Sequence, residues 1–277
     1  MKPVQPKNDR LSQGLVPYVV GTPQNLPFFD LQPLGWSIDK IFNPLHTDSA
    51  RFLERLGRLD VVTFGPEGMP MPRWVFFDGA ELPGGVVGLA CPAQQLSEAG
   101  RTLFGLAPEA EGFVPLSMFI AIPSHQAGTW MGHNLASASP QLPDLGLQGL
   151  ASLTKALGLA VFRAEQQIGV TQWNSLALAV HTRLGPLELR TAWTPAHSEP
   201  WSLTYRAKIT QAALRNLARE PGQELHRPEP DFFIDSEDHG AMQDLQRQIE
   251  AGARFVIPHK PRVLGPEHLQ VPVASLG

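Results

Sequence analysis

Leu147-Gln-Gly-Leu-Ala-Ser-Leu-Thr-Lys155-Ala-Leu-Gly-Leu-Ala-Val-Phe162 is the longest apolar stretch of this 277-residue chain, and a lysine stands inside it. The other lysines (Lys2, Lys7, Lys40, Lys208, Lys260) lie in polar or Pro-rich surroundings. An ammonium among apolar side chains loses hydration, which lowers its pKa and frees a neutral, nucleophilic amine near neutral pH. Periodicity gives a competing reading. On a helical wheel Leu150, Leu153 and Leu157 form one stripe, whereas Lys155 falls with Gln148 and Ser152 on the other side. There it would be solvated and would suit the dipole of the last helical turn. Gly158 reads as the residue that ends the helix, and a junction residue need not obey the wheel.

Outward from this run, short apolar segments are punctuated by 27 prolines and 25 glycines, the pattern of many short strands. Strands are expected at Val16–Val20, Asp60–Phe64, Arg73–Phe77, Gly85–Ala90, Phe113–Ile122 and Thr129–Leu135. Further strands are expected at Leu159–Ala164, Ile168–Trp173, Leu176–Thr182, Leu187–Trp193 and Trp201–Arg206. Leu187, Leu189, Thr191 and Trp193 alternate with Glu188, Arg190 and Ala192, so a hairpin over residues 175–193 turning at Gly185-Pro186 is the best-patterned unit. Helices are expected at Ser49–Leu56 behind Asp48, at Pro143–Leu157, at Ile209–Arg219 and at Met242–Ala251. Residues 220–240, acidic and Pro-rich, read as a long loop or flap. The organisation expected is a polar tail over residues 1–14 and a single β-rich α+β domain over 15–277.

Composition narrows the function classes. The formal net charge is −4 with no basic run, so nucleic acid is not an expected partner. A lone cysteine, Cys91, rules out an internal disulfide, and its apolar strand context suits an inert buried thiol. The N-terminus lacks the apolar core of a signal peptide, and no run approaches the roughly 20 residues of a membrane span. A soluble cytoplasmic protein with no membrane partner is therefore the expectation. Neither a Gly-x-Ser-x-Gly elbow, a P-loop nor a Gly-x-Gly-x-x-Gly fingerprint occurs. The nine histidines show no tight metal-ligand spacing, so no metal is expected. The six tryptophans read mostly as core.

Phe113-Val-Pro-Leu-Ser-Met-Phe-Ile-Ala-Ile-Pro123, Gly128-Thr-Trp-Met-Gly-His-Asn-Leu135 and Leu150-Ala-Ser-Leu-Thr-Lys-Ala-Leu157, in this order, resemble the acetoacetate decarboxylase family. His46-Thr-Asp48 and Gly185-Pro-Leu-Glu-Leu-Arg190 extend the resemblance over roughly residues 38–265. The resemblance implies a β-rich α+β barrel or cone with a few peripheral helices, and a homo-oligomer. It places Lys155 at the Schiff-base lysine, a nucleophile type for which this family is the standing example. The implied reaction is lyase chemistry, a decarboxylation or related C–C cleavage of a small β-keto or other carbonyl acid, with no cofactor. Ser117, His46 and His133 would bind substrate or shuttle protons. Departures are visible: Ala156 stands at the family's second lysine, Ser117 at its glutamate and His46 at its arginine. The alternative is a non-catalytic barrel that binds a hydrophobic small molecule.

Overall fold

The computed structural model describes residues 14–66, 71–72, 75, 84–218 and 225–277. The described residues fall into two compact units. The first runs through Ala127 and includes Gly132–Ala164; the second holds Gly128–Met131, Glu165–Leu217 and the C-terminal segment to Gly277.

The first unit contains β1 (Val16–Val20), β2 (Lys40–Phe42), α1 (Ala50–Phe64), β3 (Gly85–Pro92), α2 (Glu98–Leu103), β4 (Phe113–Pro123), most of β5 (Thr129–Ser137) and α3 (Leu150–Val161). Its strands follow the order β5-β4-β3-β1-β2, with β1 parallel to β2 and antiparallel to β3. Cross-strand partners share a face of a sheet. Tyr18, Gly88 and Met118 are such a row, and Phe52 of α1 meets the Tyr18 ring edge-on at 4.8 Å. The alternate row, Val87 with Phe119 and Leu89 with Ser117, faces α3. Helices α1 and α3 therefore cover opposite faces of one sheet, giving a helix–sheet–helix stack.

The second unit contains β6 (Gln166–Gln172), α4 (Ala177–His181), β7 (Leu187–Thr191), β8 (Ser202–Lys208), α5 (Gln211–Leu217), β9 (Phe232–Asp235), α6 (His239–Glu250), β10 (Arg254–Ile257), β11 (Arg262–Gly265) and β12 (His268–Leu276). The strand order is β11-β12-β10-β7-β8-β6, with β9 also paired to β12. Neither strand run closes on itself. The expected barrel or cone is thus corrected to open sheets carrying helices, and no barrel interior exists to hold a substrate or a hydrophobic ligand among the described residues.

Several local expectations are also corrected. Asp60–Phe64 is not a strand but the end of α1, because Leu56, Leu59 and Val62 continue the buried stripe begun by Phe52. Leu176–Thr182 is helical, so the 175–193 hairpin does not form; its Ala and Leu residues are strong helix formers, and Thr182 Oγ1 donates back to the Leu178 carbonyl. β7 instead pairs with β8, and β6 pairs with β8 along its whole length. Within 220–240, Phe232–Asp235 forms β9 rather than loop. The expected strand Arg73–Phe77 lies outside the described residues except Val75, as does the polar tail except Gly14.

Helix α3 also runs past its expected end. Gly158 is not its terminator, and Leu159–Ala164 is not a strand. The helix ends one turn later, where Arg163 takes a left-handed φ of 49°, its N–H donates to Ala160 O and the Ala164 N–H donates to Leu159 O. These two bonds are the Schellman pattern, with arginine in the place usually taken by glycine. Gly158 is required for a different reason: a Cβ there would sit 2.4 Å from Phe119 Cδ1, so the helix reaches the sheet only because that position is bare.

Candidate functional site

The four residues singled out in the sequence all belong to the first unit, in four different settings. Lys155 is fully buried in α3, and burial pushes its ammonium well below the ordinary lysine pKa. The solvated position on the wheel is therefore overturned. Ten of the twelve residues of α3 are buried, Ser152 and Lys155 among them, so this helix has no solvent stripe for a lysine to occupy. Ser117 is buried on β4 and already committed. Its Oγ lies 2.5 Å from Thr154 Oγ1 and accepts from the Leu89 N–H at 3.3 Å, while its carbonyl accepts from Tyr18 Oη at 2.8 Å. It fastens α3 to the sheet through the residue beside Lys155. His46 is exposed ahead of α1, on the opposite face of the sheet, and His133 is exposed on β5. Partial desolvation lowers the His133 imidazole below its usual range.

Two features escaped the sequence reading. The first is Asp60, which is buried in α1. Desolvation raises its carboxyl, against the opposing pull of the Met71 N–H at 2.6 Å and Asn134 Nδ2 at 3.5 Å. Because the segment looked like a strand, this carboxyl drew no notice.

The second feature is the entry to α3. After β5 the chain makes a short 3₁₀ turn over Pro143–Leu145, then passes through Gly146 (φ 62°) and Gly149 (φ 92°) before the helix begins. Both conformations are left-handed, the region in which only glycine is unstrained. Ser139 Oγ donates to Leu147 O at 2.8 Å and ties the turn to the end of β5. Gly149 is the N-cap and supplies no side-chain acceptor. The Leu150 N–H donates to Leu147 O, and the first regular helical bond runs from Leu153 N to Gly149 O. No carbonyl of the helix can accept from the amides of Ala151 and Ser152 between them. Ala151 is also one of the two residues of α3 that keep some exposure. Helix N-termini opened by glycine turns and left uncapped are places where backbone amides bind phosphate groups. Gly149 stands in the run quoted above and Gly146 just before it, but both fell inside the helix expected over Pro143–Leu157 and did not mark a turn.

Comparison with known proteins adds little. No family model and no curated protein matches this chain. Among solved structures, the chain is similar to a protein from Klebsiella pneumoniae subsp. pneumoniae MGH 78578 provisionally described as an acyl-CoA N-acyltransferase. The identity is 15%, the match covers 60% of this chain and 93% of that one, and the TM-score is 0.34. It is also similar to a protein from Desulfovibrio desulfuricans provisionally described as a GNAT-family acetyltransferase, at 11% identity over 60% of this chain and 96% of that one, with a TM-score of 0.38. Neither is an acetoacetate decarboxylase. That resemblance is withdrawn, together with the lyase, decarboxylase and Schiff-base assignments that followed from it. The physical reason is the placement of Lys155. It lies in a helix laid across one face of an open sheet, whereas the resemblance required it to project into a closed barrel.

Proposed function

We propose that this chain is an acyltransferase that takes its acyl group from a coenzyme A thioester, with the diphosphate of the donor seated on the amides at the start of α3. One observation carries the proposal: the Gly146–Gly149 turn leaves the Ala151 and Ser152 N–H groups without helical acceptors at a partly exposed helix start. Helix dipole and amides together favour a dianionic group there. The sequence carries neither the dinucleotide fingerprint nor a P-loop lysine, so the proposal rests on the backbone amides of this turn.

Acyl transfer also suits the nucleophiles present. Cys91 is buried and its thiol is pushed up to about 11, so it is a poor relay for an acyl group. Direct transfer then follows. An acceptor amine attacks the thioester carbonyl, the C–N bond forms, and the C–S bond breaks with its electron pair leaving on sulfur. The amine's proton passes to solvent and the thiolate takes one up. Both solved structures above are described as this class of protein, but TM-scores of 0.34 and 0.38 lend the proposal no weight.

Ala151→Glu tests the proposal. A carboxylate in the first turn is favourable to the helix itself, so thermal stability should hold or rise, yet it repels a diphosphate. Titration calorimetry with acetyl-CoA should show binding to the wild-type chain and at least about a tenfold rise in Kd for the variant. Absence of saturable acetyl-CoA binding by the wild type, or equal binding by the variant, would sink the assignment.

A further inference from the structure

We infer that Asp235, Glu237 and His268, in the second unit, form a binding site for a divalent transition-metal ion of the zinc class. One potential ligand atom from each residue lies within 4.8 Å of the others. Asp235 and Glu237 stand two residues apart, but His268 lies 31 residues beyond Glu237, too far along the chain for a local metal-ligand spacing to be legible. They are brought together by strand pairing. Asp235 ends β9 and pairs with Gln270 of β12, while His268 begins β12. Two further bonds lock this corner: Ser236 N donates to Leu269 O at 2.8 Å, and Leu269 N donates to Ser236 Oγ at 2.9 Å.

The side chains are pre-aimed as well. Asp235 Oδ1 accepts from the Glu237 N–H at 2.9 Å, a local turn that fixes its carboxylate and brings Glu237 round to the same side. His268 Nε2 lies 2.9 Å and 3.0 Å from the two Asp235 oxygens. A tetrahedral ion with ligand bonds of about 2.0–2.2 Å needs donor atoms roughly 3.4 Å apart, so small side-chain rotations suffice to seat one. Two carboxylates match the charge of a dication, and one imidazole tilts the preference from calcium or magnesium toward zinc, nickel or copper. The three ligands are half-buried or exposed, so an ion can enter without opening the fold, and water can complete its coordination shell.

The competing role is a simple His268–Asp235 bridge holding β12 to β9. Metal binding separates the two. The full chain, stripped with chelator and titrated with Zn²⁺, should take up one equivalent with a Kd well below about 1 mM. Glu237→Gln, whose side chain has no role in the bridge, should weaken binding by about tenfold or more, as loss of a ligand does; His268→Ala should weaken it further. Co²⁺ substitution should give the visible absorption of a low-coordinate site in the wild type and lose it in His268→Ala. Absence of saturable Zn²⁺ uptake, or uptake unchanged in both variants, overturns the site and leaves only the bridge.

Discussion

Helices α1 and α3 cover opposite faces of the same sheet, yet they treat a buried cation in opposite ways. In α1, Arg55 is largely buried, and its guanidinium donates to Phe113 O at 2.8 Å and Glu111 O at 2.9 Å. Burial, then the neighbouring charge of Arg51, lowers its pKa, but a guanidinium starts so high that it stays charged. In α3, Lys155 is wholly enclosed, and burial brings its ammonium well below the ordinary lysine pKa. The difference lies in the helices. α1 is amphipathic, with Phe52, Leu56, Leu59 and Val62 inward and its remaining face at the surface, whereas α3 is buried on nearly every side. Arg55 keeps its charge through burial because a guanidinium starts so high, whereas the Lys155 ammonium, in a helix buried on nearly every side, becomes a pH-dependent burden.

The two helices also carry matched glycines, and these give the largest expected effect. A Cβ on Gly57 of α1 would meet nothing within 4 Å, whereas one on Gly158 of α3 would strike the buried Phe119 ring. Alanine normally gains on glycine in a helix interior, but at 158 the ring has to move. Gly158→Ala should therefore destabilise the protein by about 1–3 kcal/mol in urea denaturation. An unchanged or higher midpoint would show that α3 does not press on the sheet so closely.

Next comes the pH dependence of Lys155. Its folded pKa lies below the unfolded value of about 10.4, so between the two the unfolded chain holds the extra proton. Stability from this group is complete above the unfolded pKa and is lost as pH falls through the folded one. The wild type should therefore gain up to about 1.4 kcal/mol per pH unit across that window relative to Lys155→Met. Parallel stability curves for the two proteins between pH 7 and about 9.5 would remove the contrast with Arg55. The smallest effect is at the open glycine. Gly57→Ala should raise stability by about 0.5–1 kcal/mol, read as a higher melting temperature. A loss there would mean that α1 is less free at its rim than the geometry indicates.

Much of the fold was legible as a succession of strands. β1, β3, β4, β5, β6 and β8 lie close to where apolar runs between Gly and Pro placed them, because a strand's pattern is local and its turn residues are explicit. The failures share a cause. Asp60–Phe64 and Leu176–Thr182 look like strands in isolation, but each belongs to a helix whose stripe or capping bonds extend beyond the window. The candidate site was half legible. The sequence drew attention to the run that forms α3 through its lysine, and passed over the glycine turn on which the proposed site rests.

By itself, the sequence determined that Leu147–Phe162 contains a helix, that Lys155 lies within it, and that no basic run is present; that the helix starts only after Gly146 and Gly149 came from the fold. Only the tertiary structure decided that the lysine is buried, that Arg163 rather than Gly158 ends the helix, and that the sheets stay open. It alone also brought His268 beside Asp235 and Glu237. A residue's period along the chain fixes which neighbours it shares a face with. Whether that face meets water or another element depends on segments far away in sequence, and no local pattern encodes them.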